Sequence, residues 1–289
     1  MDEFKTYHPI VNFIYFLLVI GLSMFLMHPV SLGISLFCAI VYLAVLKGKK
    51  AAFTSLIVAI PIMLSGAVIN PLFSHEGITV LKYLPSGNPL TLEAIYYGFA
   101  AATMLTAVVI HFVSYNAIMT SDKFIYLFGK IIPSLSLVIS MTLRFVPTFI
   151  ARLREIRTVQ KTLGVNMSEG SLNKKLRSAI KIISILVTWS LESAVETADS
   201  MKSRGYGLSG RTAYSIFKIE KRDAIALLWM LAAFCVIIWG IVSGELSYTY
   251  FPVYTVGKFG AGVHIAYLLL CITPVIIEVR EAIRWKAIK

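Results

Sequence analysis

Long apolar stretches separated by short polar segments dominate the chain. They cover residues 10–27, 30–46, 51–69, 92–115, 223–243 and 260–280. Each is long enough to cross the hydrocarbon core of a bilayer, which takes about 17–25 residues of helix. The pattern therefore predicts an all-α polytopic membrane protein with about six transmembrane helices. Only 15% of the residues are charged, against about 25% in soluble domains, which agrees with this prediction.

A polar and basic region, residues 116–222, interrupts the apolar pattern. It contains 17 Lys and Arg but 7 Asp and Glu, and so carries most of the net charge of +12. We expect three parts: transmembrane helices 1–4 in residues 1–115, a cytoplasmic domain in residues 116–222, and helices 5–6 with a basic tail in residues 223–289. With the N-terminus inside, 25 of the 27 Lys and Arg residues fall on the cytoplasmic side, which satisfies the positive-inside rule. Both termini are therefore predicted to be cytoplasmic.

One further apolar stretch, Ile131 to Ile150, is long enough to span but contains Pro133, Arg144 and Pro147. An Arg at the centre of a bilayer costs at least about 2.5 kcal/mol. A single crossing here would also invert every later helix. We therefore expect a helix that lies at the cytoplasmic interface or packs against other helices.

Two helices predicted inside the basic region end in similar ways, at Lys161–Gly164 and at Lys202–Gly205. Glycine is favoured just past a helix C-terminus because it enters the left-handed region without a Cβ penalty. Each helix thus carries a cation near its end. The endings also fit ordinary helix caps, with Arg204 paired only with the dipole of its own helix. An arginine in this position could instead make a bidentate contact with a carboxylate of a partner protein.

The second of these helices combines an apolar stripe with a run of small side chains. The stripe has helical spacing and consists of Leu172, Leu176, Ile180, Ile183, Val187 and Leu191. The small residues are Ser190, Ser193, Ala194, Thr197, Ala198, Ser200 and Ser203. Since small residues let two helices approach closely, we expect the two helices to pack together and cross.

Outside this region the candidate chemistry is sparse. Cys38, Cys235 and Cys271 lie far apart in apolar segments, and the five histidines do not have ligand spacing, so no metal site is predicted.

In the loop of residues 70–91, Ile78–Leu84 could form a short strand. Thr91 is a plausible N-cap for the next helix, with Glu93 in its first turn. The basic region fits anionic lipid or an acidic protein partner; nucleic acid is disfavoured because zinc-finger spacings and aromatic RNA-binding motifs are absent.

Several motifs resemble one known family. They are Ser134–Thr148, which contains Leu-Arg-Phe-Val-Pro, then Glu155-Ile156 and Gln160, then Ser203–Tyr206, and upstream Thr91–Gly98. Together they resemble the transmembrane (T) component of energy-coupling factor transporters, the EcfT/CbiQ family. The resemblance covers roughly residues 75–289 well and the first spans weakly.

The resemblance implies a mechanism. Two coupling helices, each ending in an Ala-Arg-Gly type of motif, cross and dock into grooves of two ABC-type ATPases. The T component passes the ATP-driven movement to a separate substrate-binding membrane protein, the S component, which releases a vitamin or metal ion inside. The protein would lie in the cell membrane of a prokaryote, hold no cofactor of its own and leave ATP to its partners.

The motifs carry over residue by residue. Ser203, Arg204 and Gly205 match the second motif, with Ser in place of Ala. Thr162, Leu163 and Gly164 align with the first, where Leu163 stands in the position of the usual Arg. Lys161 or Arg157 could supply the missing cation, or the contact could be apolar. The motif of the coupling region itself is carried by Arg144, Pro147, Glu155 and Gln160.

Two other classes of function fit the sequence less well. A membrane enzyme acting on lipids would need clustered acids, bases or ligands, but Glu155, Glu192, Glu196 and Asp199 lie among Arg and Lys without histidines. A self-contained secondary transporter would carry charges or broken helices at the bilayer midplane, whereas the six stretches are nearly free of charge. The chain lacks the G-x-x-x-x-G-K-[ST] motif, so nucleotide and catalysis are expected in a partner.

Overall fold

The computed structural model describes residues 3–83, 87–129, 133–163, 172–208, 217–257 and 260–288. Its helices are α1 (Glu3–Thr6), α2 (Pro9–Phe25), α3 (Pro29–Lys47), α4 (Lys49–Phe73), α5 (Leu92–Ile118), α6 (Ser121–Gly129), α7 (Pro133–Thr162), α8 (Leu172–Ser203), α9 (Lys221–Val242) and α10 (Ala261–Ile288). Its strands are β1 (Val80–Tyr83), β2 (Pro89–Thr91), β3 (Tyr248–Thr249) and β4 (Thr255–Val256).

The chain divides into two compact units. Met1–Phe124 and Phe217–Lys289 form one, here called the membrane unit, and Ile125–Ile216 form the other, the inserted unit. The predicted boundaries at residues 115 and 223 are near these limits. The inserted unit corresponds to the basic region of the sequence.

Six helices in the described part of the chain are long and apolar enough to cross a membrane: α3, α4, α5, α8, α9 and α10. Five of them coincide with predicted spans. The predicted first span is α2, whose 17 residues are at the lower end of the spanning range. Helix α8 qualifies by length and composition although we assigned it to the cytoplasmic domain. The all-α polytopic membrane class is confirmed.

Aromatic side chains fill the centre of the membrane unit. Phe4, Tyr15, Phe16, Tyr42 and Tyr267 are fully buried and join residues of α2, α3 and α10 in one core. Phe4 meets the Tyr15 ring edge-on with 5.3 Å between ring centroids, and the Tyr15 hydroxyl donates to the carbonyl oxygen of Cys271 at 2.8 Å. Each aromatic pair of this kind contributes about 0.5–1.5 kcal/mol beyond its buried area.

The loop before α5 has the strand and the N-cap that were predicted. β1 and β2 pair antiparallel, which confirms the strand expected within Ile78–Leu84. Thr91 occupies the predicted N-cap position of α5, while its Oγ1 donates to the carbonyl oxygen of Glu76 at 2.7 Å and does not bond the helix. The Glu93 carboxylate in the first turn is buried and accepts the Thr79 amide at 3.2 Å.

A short N-terminal segment that the sequence pattern did not reveal ties several helices together. The Phe4 amide donates to Glu278 of α10 and the His8 amide donates to Asp223 of α9, each at 3.0 Å. The Lys123 ammonium of α6 donates to the carbonyl oxygen of Lys5. Burial, with a smaller contribution from the charge of Lys5, lowers the pKa of Lys123 to about 8.

Helices α4 and α5 approach most closely at Gly66 and Gly98. A Cβ at Gly98 would collide with the carbonyl oxygen of Gly66, and a Cβ at Gly66 would collide with the Cβ of Ala102. Beside this point the Asn70 amide donates to the carbonyl oxygen of Ala94 at 2.7 Å. Small residues thus allow a close backbone contact of the kind that associates helices in membranes.

We expect Gly98→Ala to destabilise the membrane unit by about 1–3 kcal/mol, because the added methyl group forces α4 and α5 apart. The thermal transition of the purified protein in detergent measures this. Gly33→Ala is the matched control, because a Cβ there meets no atom within 4 Å. Equal transition temperatures for the two variants would show that the α4–α5 contact tolerates separation.

Candidate functional site

The candidate site is built on α7 and α8, the two long helices of the inserted unit. Helix α7 has 30 residues and continues through Pro147, and α8 has 32 residues. Pro147 lacks an amide hydrogen, so it cannot donate to the carbonyl four residues earlier in the helix. One residue on, the Thr148 hydroxyl donates to the carbonyl oxygen of Arg144 at 3.3 Å. The Leu-Arg-Phe-Val-Pro motif is therefore helical.

Aromatic side chains make the central contact between the two helices. The Phe149 ring of α7 meets the Trp189 ring of α8 edge-on with 5.6 Å between centroids, and Phe145 stacks on Phe149 at 5.8 Å. The Arg152 guanidinium lies 5.1 Å from the centroid of the Trp189 ring. A cation–π contact at an exposed site contributes about 0.5–1 kcal/mol. Sequence reasoning missed Trp189, although Phe145, Phe149 and Arg152 have the spacing of one helix face.

The small residues of α8, not its apolar stripe, are the more buried side. Ser190, Ser193, Thr197 and Met201 are half-buried at helical spacing, and Thr197 and Met201 line a groove with Met141 of α7. The predicted stripe is exposed, from 48% at Val187 to 84% at Leu172. Ala194, Ala198, Ser200 and Ser203 are exposed as well. The expected contact through small residues is therefore formed by only part of the small-residue run of α8. The apolar stripe of α8 stays exposed.

The last turn of α8 closes in the manner expected from its glycine. The amide of Tyr206 donates to the carbonyl oxygen of Met201 and the amide of Gly205 donates to that of Lys202, both at 3.0 Å. Gly205 has φ of +76°. These features define a Schellman motif with Gly205 at the left-handed position, and they satisfy carbonyls that the helix leaves without partners. Arg204 is therefore the capping residue, held at a fixed place on the helix end.

Arg204 lies over a groove of about 340 Å³ between the two helices, together with Arg144, Phe145, Glu196 and Ser200. Its side chain is exposed, and within the described residues it has no ion-pair partner. Two guanidinium groups thus share one groove with a single carboxylate. The predicted motif residue Arg144 and the predicted tip residue Arg204, 60 positions apart in sequence, are brought together here.

The end of α7 is different. The Thr162 hydroxyl donates to the carbonyl oxygen of Val159 at 2.7 Å, and the Leu163 amide donates to the same oxygen at 3.1 Å. Leu163 is 69% exposed, and Lys161 is also exposed. Gly164 lies outside the described residues, so the predicted glycine cap of α7 stays a prediction.

The remaining predicted residues of α7 lie along the helix without joining the groove. Glu155 accepts from Arg152 at 2.7 Å, and because both side chains are about half exposed this pair contributes little to stability. Arg157 is exposed. Gln160 is buried, and its Oε1 has no hydrogen-bond partner among the described residues.

The two helix ends lie on opposite sides of the central contact. Residues Phe145 and Arg152 of α7 neighbour Met201 and Trp189 of α8 respectively, so the helices run antiparallel where they touch. From that contact α8 continues for about 20 Å to its end, and α7 continues for about 15 Å in the other direction. The inserted unit thus presents two separate tips.

We expect Gly205→Ala to loosen the last turn of α8, because an L-residue in the left-handed region costs about 1–2 kcal/mol and the new Cβ would lie 3.1 Å from Leu208. Hydrogen exchange at the Tyr206 amide should accelerate by about tenfold. Gly205→Asn is the control, since Asn tolerates this conformation and should exchange nearly as slowly as the parent. Unchanged exchange in the Ala variant would contradict the proposed role of this cap.

Comparison with known proteins agrees with this architecture. The model of the CbiQ family, described as cobalt transport protein, matches residues 5–214. Proteins named energy-coupling factor transporter transmembrane protein EcfT are similar: that of Lactobacillus helveticus is 36% identical over 101 residues, 35% of this chain and 36% of its own. That of Bacillus selenitireducens is 43% identical over 94 residues, 32% of this chain and 35% of its own. That of Lactococcus lactis is 37% identical over 111 residues, 38% of this chain and 42% of its own.

These matches thus span about two fifths or less of the length of the curated relatives. The family model, in contrast, covers well over half of the chain and includes the described residues of α7 and α8. The protein therefore belongs to the CbiQ family of cobalt transport proteins.

Proposed function

We propose that this protein is the transmembrane coupling subunit of an energy-coupling factor importer. In this role it binds two ABC-type ATPase subunits and passes their ATP-driven movement to an S component that captures a vitamin or a metal ion. Membership of the CbiQ family and the names of the EcfT relatives support the role. ATP hydrolysis belongs to the partners, and the chain itself acts without a cofactor or catalytic residues.

The observation that carries the proposal is the presentation of Arg204. A Schellman motif holds this arginine at the end of a 32-residue helix, exposed and without an ion-pair partner among the described residues. A guanidinium in this position can make a bidentate contact with a carboxylate in a groove of an ATPase. The separation of the two tips on opposite sides of the α7–α8 contact suits docking to two ATPase subunits, one at each end.

We assign α7 and α8 to the cytoplasmic face of the membrane. Helix α8 is apolar enough to span, but the stripe from Leu172 to Leu191 forms one exposed apolar face. A helix with one apolar and one polar face lies in the membrane interface instead of crossing it. The stripe can then contact lipid or the S component while the tips face the cytoplasm. With both termini in the cytoplasm, this arrangement fits the positive-inside rule for the cell membrane of a prokaryote.

The alternative of a self-contained secondary transporter has less support. Such a protein places ionisable groups on a path through the bilayer midplane. The buried carboxylates of Glu93, Asp223 and Glu278 instead accept the backbone amides of Thr79, His8 and Phe4. These contacts give each carboxylate a structural role.

We expect Arg204→Glu to weaken binding of one ATPase by roughly 30-fold to several-thousand-fold, since breaking a buried charged contact costs about 2–5 kcal/mol. Co-purification from detergent extracts and transport in proteoliposomes measure the effect. Lys82→Glu makes the same charge change on exposed strand β1 of the membrane unit and is the control. Full complex formation by the Arg204 variant, at parental membrane levels, would leave Arg204 without a coupling role.

The tip of α7 is expected to dock through apolar contact, because Leu163 is exposed at the position of the usual arginine. Leu163→Glu would bury a charge in that interface and weaken the second ATPase contact by at least about tenfold. Leu163→Met keeps the apolar contact and should bind normally. Measured affinities that do not distinguish the two variants would mean that this tip stays in solvent.

A further inference from the structure

The membrane unit contains a second candidate site, a cavity of about 650 Å³ between α9 and α10. Its wall is apolar and is formed by Ile225, Ala226, Trp229, Leu269, Ile276 and Ile277. Its rim is polar and is formed by Glu3, Tyr7, Arg222, Arg280, Glu281 and Arg284. Thr273 also lines the cavity, and its hydroxyl is 3.4 Å from the indole nitrogen of Trp229. The cavity therefore has one charged end and one apolar end.

The three arginines of the rim have N–H donors that are not used in ion pairs. Arg222 pairs with Glu220, and Arg284 pairs with Glu281, both at 2.9 Å. A guanidinium has five N–H donors, so one carboxylate leaves most of them available. Arg280 is exposed and has no ion-pair partner among the described residues.

The position of Arg222 is fixed by the ring of Tyr7, whose centroid lies 5.0 Å from its guanidinium carbon. The phenol of Tyr7, like that of any tyrosine, is protonated at neutral pH and can donate a hydrogen bond, and burial raises its pKa further. The rim thus offers guanidinium and hydroxyl donors around one cavity. Such a set of donors suits a phosphate, which arginine binds in bidentate fashion.

From the rim arginines to the far end of the wall, the cavity lining extends over a length comparable to one leaflet of a bilayer. From Arg222 to Trp229, α9 rises by about 10 Å, and from Arg284 to Leu269, α10 extends by about 22 Å. Half of a typical hydrocarbon core is about 15 Å. A ligand with a charged head and an apolar tail of this length matches the cavity from rim to wall.

We propose that this cavity binds an anionic phospholipid, with its phosphate among Arg222, Arg280 and Arg284 and one acyl chain along the wall between α9 and α10. Basic pockets between transmembrane helices are typical sites for anionic head groups. This site does not depend on the coupling function proposed above.

Native mass spectrometry of the full-length protein in detergent tests the site with dioleoyl phosphatidylglycerol and dioleoyl phosphatidylcholine. We expect phosphatidylglycerol to bind at least about tenfold more tightly, and Arg280→Gln to remove about tenfold of its affinity. Ala226→Trp should fill the apolar wall and abolish the bound lipid. Lys82→Gln, which neutralises an exposed lysine of β1, should bind like the parent.

Three outcomes would overturn the proposal. The first is equal affinity for the two lipids, and the second is parental affinity in Arg280→Gln. The third is displacement of phosphatidylglycerol by millimolar inorganic phosphate, which would make the cavity a site for a small anion. Arg280→Gln changes an exposed side chain and so tests the site even where Ala226→Trp does not fold.

Discussion

Buried carboxylates that accept backbone amides are the interaction on which the membrane unit depends. Glu93 accepts the amide of Thr79, Asp223 that of His8, and Glu278 that of Phe4, at 3.0–3.2 Å. A buried charge without partners would cost several kcal/mol, so each carboxylate holds the segment that satisfies it. In this way the residue before β1 is fastened to the first turn of α5, and the N-terminal segment is fastened to α9 and α10, which are remote from it in sequence.

The inserted unit is organised by a different constraint. Its two helices touch through one aromatic cluster and a row of small residues, and this contact leaves the long apolar stripe of α8 uncovered. A helix pair of this kind resists separation weakly on its own. The capped end of α8 is the most precisely defined part, because the backbone hydrogen bonds of the cap fix it locally.

Much of this architecture could be predicted from the sequence because it depends on local or one-dimensional signals. The lengths of the apolar stretches predicted the transmembrane helices. The preference for glycine just past a helix C-terminus predicted that α8 ends at Gly205. What could not be predicted depends on partners far apart in the chain. The N-cap pattern does not show that the hydroxyl of Thr91 bonds the carbonyl oxygen of Glu76, and the meeting of Arg144 with Arg204 depends on the alignment of two helices. The exposure of the apolar stripe of α8 likewise depends on which face of α8 packs against α7.

The N-terminal segment also determines where the chain leaves and re-enters the membrane unit. Lys123, at the exit, donates to the carbonyl oxygen of Lys5, and at the return the Phe217 ring lies 6.5 Å from that of His8. The two junctions are thus held by neighbouring residues, independently of what is inserted between them. Whatever helices stand between them, the chain would therefore leave and return at the same two places of the membrane unit.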